Sequence, residues 1–99
     1  MRSRIPIPSK QVDAFCREYH IQRLALFGSV LRDDFRPDSD VDVLVEFAPG
    51  TRTGFRFFRM QEELSKILGR RVDLNTPGCL SPYFREAVLT EAEVIHDAA

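Results

Sequence analysis

Residues Phe27–Phe47 read FGSVLRDDFRPDSDVDVLVEF, and this stretch decides the fold. Its second half, Val41 to Phe47, alternates as a strand does, with Val41, Val43, Val45 and Phe47 facing one way. Asp40 and Asp42 stand on the opposite side, roughly 6.5–7 Å apart along the chain. An ionised carboxylate at the mouth of a hydrophobic strand is expensive, and two together need an explanation. A Gly28–Ser29 pair lies upstream of them.

The flanking sequence supplies the remaining elements. After an arm punctuated by Pro6 and Pro8, Ser9 is read as the cap of a helix to about Tyr19, with Val12, Phe15, Cys16 and Tyr19 as its apolar face. RLALF, Arg23 to Phe27, is a short strand ending at Gly28, and Ser29 opens a helical turn to about Asp33. The longest helix is expected from about Gly54 to Leu68, with Phe57, Met60, Leu64, Ile67 and Leu68 as its core stripe and Gly69 at its end. RRVDLN, Arg70 to Asn75, is a third strand. Ser81–Pro82 reads as a cap followed by Pro at the first helical position, starting a helix to about Thr90. EVIH can add a short edge strand. A helical crossover implies that the second and third strands are parallel neighbours. The short link between the first and second favours an antiparallel pair. The fold class expected is α/β (α+β): a small mixed sheet of three to four strands with helices packed against it.

In that sheet Asp73, flanked by Val72 and Leu74, joins Asp40 and Asp42 from one strand over, at about 4.8 Å lateral spacing. Three converging carboxylates raise each other's pKa unless a cation neutralises them. Hard oxygen donors of this kind suit Mg²⁺ or Mn²⁺, which take further ligands from substrate phosphates. Two such ions clamp an in-line phosphoryl displacement. Gly28 lets the backbone approach a ligand closely, Ser29 adds a hydroxyl and a turn N-terminus, and Arg32 can balance phosphate charge. Asp38, within RPDSD, reads instead as turn chemistry facing solvent.

Bulk properties narrow the classes. Ninety-nine residues suffice for one domain, residues 1–99. The 14 basic and 15 acidic residues nearly cancel, so there is no global basic field and no direct nucleic-acid binding is predicted. No run approaches the roughly 18 apolar residues of a membrane span, and the opening MRSRIPIPSK lacks a signal peptide's apolar core. Cys16 and Cys79 show no metal-ligand spacing; Cys16 lies on a helix core face as a buried free thiol, and a reduced, cytoplasmic setting is expected.

LFGSVLR…PDSDVDVLVEF resembles the signature of the polymerase-beta-like nucleotidyltransferases, in which Gly-Ser is followed by a D-x-D strand and a third carboxylate on a later strand. The ending RVDLNTPGCLSPYFREAVLTEAEVI is similar to the minimal nucleotidyltransferases, the MNT group of prokaryotic toxin–antitoxin pairs. The resemblance spans roughly Leu24 to Ile95. It implies transfer of AMP from ATP with release of pyrophosphate. Gly28 and Ser29 would then hold the triphosphate with Arg32 balancing its charge. Asp40 and Asp42 would ligate both metals, and Asp73 would ligate the catalytic one and help activate the acceptor hydroxyl. It also implies a HEPN-type ribonuclease toxin as partner, in a hetero-oligomer, with a tyrosine as acceptor. One departure is that Asp33–Asp34 follow Arg32 where many relatives carry Gly, which brings extra negative charge near the triphosphate path. Two alternatives stand beside this reading: a non-enzymatic antitoxin that acts by binding the toxin, and nucleotide transfer to a small hydroxyl-bearing molecule.

Arg52, Arg56 and Arg59 fall on one side of the long helix, as a solvated face or as a patch for an acidic partner surface or an RNA backbone. Phe55, Phe57 and Phe58 exceed what one buried stripe needs, so one phenylalanine can lie in an interface. His20 and His96 sit at expected element ends and are assigned to surface structure. Tyr83 is assigned to packing or the cap region of the last helix.

Overall fold

The computed structural model describes residues 5–32 and 35–98. Its elements run α1 (Ser9–Glu18), β1 (Ile21–Phe27), β2 (Val41–Phe47), α2 (Arg56–Leu68), β3 (Val72–Asn75), α3 (Pro82–Glu91) and β4 (Glu93–Asp97). Short 3-10 turns occupy Gly28–Leu31 and Pro77–Cys79. The sheet order is β3-β2-β1-β4. β1 and β2 are antiparallel, β2 and β3 are parallel across the α2 crossover, and β4 closes the far edge antiparallel to β1. The expected mixed sheet is therefore present, with the optional fourth strand in place.

Its core follows from the alternation. Val41, Val43 and Val45 of β2, Leu24 and Leu26 of β1, and Val72 and Leu74 of β3 are buried against Val12, Phe15 and Cys16 of α1 and Met60, Leu64 and Leu68 of α2. Phe57 and Ile67 pack partly buried at its margin. The opposite sheet face is not wholly polar. Leu44 lies there between Asp42 and Glu46, opposite Ala25, and is only 1% exposed.

Several boundaries shift for local reasons. Ser9 is the first residue of α1 and not its cap; Pro8 holds that position, and its carbonyl accepts the Val12 N–H at 3.0 Å. β1 starts two residues earlier than expected, at Ile21, because a register irregularity lets Gln22 pass without breaking the pairing. α2 begins at Arg56, after Gly54 at φ +52°, so Arg52 lies outside the helix. β3 is trimmed to Val72–Asn75 because Arg70 still belongs to the end of α2, its N–H donating to the Ser65 carbonyl at 3.1 Å. Ser81 caps α3 as expected, accepting the Tyr83 N–H at 3.3 Å.

Three side chains also depart from their expected settings. His96 is inside β4 with its side chain 13% exposed, and its Nδ1 lies 3.0 Å from Asp13 Oδ1 on α1. Arg56 is not simply solvated, since its guanidinium sits 5.0 Å from the centre of the Tyr19 ring. Two phenylalanines lie outside the core and not one: Phe55 is 95% and Phe58 70% exposed. Cys16 is fully buried, and burial beside Asp13 pushes its thiol up to about 12. Among the described residues no helix is long and apolar enough to cross a membrane.

Candidate active site

Strand pairing assembles the site. The register places Asp42 opposite Phe27 on one side and opposite Asp73 on the other. Gly28, the residue after Phe27, consequently turns directly against the Asp42 carboxylate. Its φ is +76°, and a Cβ built there would overlap Asp42 Oδ2. Glycine is needed at this position twice over, for its left-handed backbone and for the room it leaves.

Asp40 precedes β2 by one residue, so the same register sets it beside Arg71. Asp40 Oδ1 is 3.9 Å from Arg71 Nε, both side chains being largely exposed. The Val41 N–H donates to the Arg71 carbonyl at 2.9 Å, which fixes the backbone at that point. The preceding loop is anchored by Arg70, whose Nη1 donates to the Pro37 carbonyl at 3.2 Å and whose guanidinium lies 5.1 Å from the Phe35 ring centre. Asp38 is exposed in that loop, as turn chemistry predicts. Asp33 and Asp34, the departure noted in the sequence, lie outside the described residues.

Electrostatically the site is strained toward a cation. Burial raises the Asp42 carboxyl first; the charges of Asp73 and Asp40 raise it further, and Arg32 pulls it down. Arg32 therefore acts on the same carboxylate that Gly28 packs against. The Ser29 carbonyl accepts the Arg32 N–H at 2.9 Å, which holds the Gly28–Leu31 turn closed and brings Arg32 to its end. A cavity of about 280 Å³ opens here, lined by Gly28, Leu31, Arg32 and Glu91.

All six site residues expected from the sequence thus fall in one region at one end of the sheet. Asp40, Asp42 and Asp73 form the carboxylate set, and Gly28, Ser29 and Arg32 the adjacent turn. Among the described residues the carboxylates do not close into a ready-made ligand cluster. The donor chemistry nevertheless fits a hard divalent ion: only carboxylate oxygens, one of them half-buried and held above its usual pKa by that burial and then by its acidic neighbours. Arg71 and Glu91 are additions. Arg71 could have been found from the β2–β3 register, whereas nothing local to the sequence around Glu91 points to this cavity.

Comparison with known proteins agrees with this geometry. The family described as "Nucleotidyltransferase domain" matches residues 8–95. A Thermococcus cleftensis relative named protein adenylyltransferase MntA is 34% identical over 73 residues, which cover 74% of this chain and 73% of the relative. A solved structure provisionally named a minimal nucleotidyltransferase is 40% identical and superposes with a TM-score of 0.70, covering 85% of both chains. Two toxin–antitoxin complexes share the fold at 22% identity. One, solved with AMP-PNP, has a TM-score of 0.72 over 92% of this chain and 74% of that one. The other, a tri-AMPylated Shewanella oneidensis HEPN toxin with an MNT antitoxin, has a TM-score of 0.64 over 90% of this chain and 69% of that one.

Proposed function

The chain belongs to the nucleotidyltransferase domain family, and on that premise we propose that it transfers AMP from ATP to a tyrosine of a HEPN-type toxin, neutralising it as an antitoxin. The observation that carries this reading is the packing of Gly28 against Asp42 while Asp73 stands opposite Asp42 on β3. That arrangement supports the reading, because a turn suited to phosphate approach and a carboxylate pair then lie close enough to serve one small ligand. The family name of the MntA relative and the AMPylated toxin in the Shewanella complex support the donor and acceptor classes. The AMP-PNP complex supports ATP as the nucleotide.

In the proposed reaction the backbone at Gly28, the Ser29 hydroxyl and the Arg32 guanidinium bind and orient the triphosphate. Asp40, Asp42 and Asp73 would hold Mg²⁺, two ions or Mn²⁺ in its place, which supplies charge neutralisation of carboxylates and phosphates. Asp73 orients the acceptor hydroxyl and draws on its proton. The hydroxyl oxygen forms a bond to the α-phosphorus, the bond from that phosphorus to the β-phosphate oxygen breaks, and pyrophosphate leaves. A single domain over residues 1–99 in a cytoplasmic setting, partnered in a hetero-oligomer, completes the proposal.

The test is to incubate the chain with its partner toxin and labelled ATP and weigh the toxin by mass spectrometry. An AMP increment that disappears with Asp42→Asn is expected. Neutralisation that persists in an Asp40→Asn/Asp42→Asn variant without ATP would favour the purely binding antitoxin. A small-molecule acceptor is supported only if label moves to added hydroxyl compounds and never to protein.

A further inference from the structure

We propose that Glu91 is a specificity-determining residue that opposes entry of metal-free nucleotide, by offering Arg32 a competing carboxylate across the cavity at Gly28. The inference rests on the functional reading above, in which a triphosphate occupies that cavity. It is carried by the sheet, not by a motif. β4 runs antiparallel to β1 with Glu93 opposite Leu26. Just outside that pair, Glu91 at the end of α3 and Gly28 in the turn after β1 line the same cavity. The turn between α3 and β4 fixes this placement, since the Ala92 N–H donates to the Val88 carbonyl at 2.9 Å as the helix ends. The cavity of about 280 Å³ is then walled by Gly28, Leu31, Arg32 and Glu91.

The physical consequence follows from charge. Among the described residues Arg32 is the cation of this cavity wall, and it already acts on Asp42. A second carboxylate on the wall lowers the net attraction for any polyanion entering between them. A triphosphate with its divalent ion carries less negative charge than the free nucleotide, so the same carboxylate opposes it less. Glu91 thus biases the site toward the metal-complexed form. Arg32 and Glu91 are both exposed, and salt therefore screens the effect.

Equilibrium titration of the full chain with ATP, with and without Mg²⁺, at low and high salt, tests the proposal on wild type, Glu91→Gln and Glu91→Asp. Glu91→Gln is expected to tighten metal-free ATP on the order of fivefold at low salt, the worth of one exposed charge pair in water. The gain should shrink at high salt and be smaller with Mg²⁺, while Glu91→Asp stays near wild type. Glu91→Gln binding as wild type or weaker, or a gain indifferent to salt, overturns the inference while leaving the functional reading intact. Wild type that binds ATP in neither form overturns both.

Discussion

Gly28 and Asp42 compete for one volume: the position of a Cβ on residue 28 is taken by Oδ2 of Asp42, and the backbone there is left-handed at φ +76°. Gly28→Ala should therefore displace the Asp42 carboxylate and abolish AMP transfer. Gly50 provides the control, since it has φ +83° but nothing within 4 Å of its would-be Cβ. Gly50→Ala should cost only the backbone term, about 1–2 kcal/mol, and keep transfer. Thermal melts and the toxin mass shift read both effects. A Gly28→Ala protein that transfers AMP at the wild-type rate would falsify the claim that this contact positions Asp42.

Burial, aided by Asp73 and Asp40 and opposed by Arg32, holds the Asp42 carboxyl above its usual 3.8. The folded chain thus keeps this proton more tightly than the unfolded chain does. Its contribution to stability is full below the unfolded value and is lost as pH rises through the raised folded value. Asparagine suffers no such loss. With divalent ions chelated, the stability of Asp42→Asn relative to wild type should rise with pH just above 3.8 and then level off. A difference that is flat or falls over that range speaks against the raised carboxyl.

The same repulsion sets an expectation for divalent ions. Were Mg²⁺ held by Asp40, Asp42 and Asp73 as proposed, it would stabilise the folded chain by an amount that grows with the logarithm of its concentration above the dissociation constant, about 2.7 kcal/mol at a hundred times that constant. Melting temperature should climb with added Mg²⁺ in wild type and stay level in Asp40→Asn/Asp42→Asn. Chelation should end AMP transfer and Mn²⁺ restore it. Transfer that continues in excess chelator would remove the metal from the mechanism.

Much of this site was legible in the chain because strand alternation is a local rule. Asp42 between two valines and Asp73 between Val72 and Leu74 declare their face without any knowledge of tertiary structure. The crossover from β2 to β3 then makes them neighbours. What was hidden depends on register and on distant pairing. Arg71 meets Asp40 only because Val41 pairs with Val72, and Glu91 reaches Gly28 only because β4 attaches to β1. His96 was misjudged for the same reason: its partner Asp13 is 83 residues away in sequence. The Ser9 cap failed on a finer point: the helix starts at Ser9 itself, with Pro8 before it and no side-chain cap.

β3, which carries Asp73, lies at an edge of the sheet. An edge strand leaves N–H groups pointing outward, where they can template pairing with another chain. Here α2 answers them: the Val72 N–H donates to Ser65 Oγ at 3.0 Å, and the Leu74 N–H donates to Gln61 Oε1 at 2.9 Å. Those two donors flank Asp73, so the helix that crosses over the sheet also holds this carboxylate's backbone from both sides. Removing either acceptor leaves a donor without its partner, at about 1 kcal/mol each. Gln61→Leu/Ser65→Ala should therefore lower stability by about 2 kcal/mol if the sites act independently. It should also open the β3 edge to self-association, visible as concentration-dependent light scattering. AMP transfer should fall further than stability alone explains, because Asp73 loses both of its flanking anchors. A double variant with unchanged self-association and full activity would show that pairing with β2 and the packing of Val72 and Leu74 hold β3 in place without these two bonds.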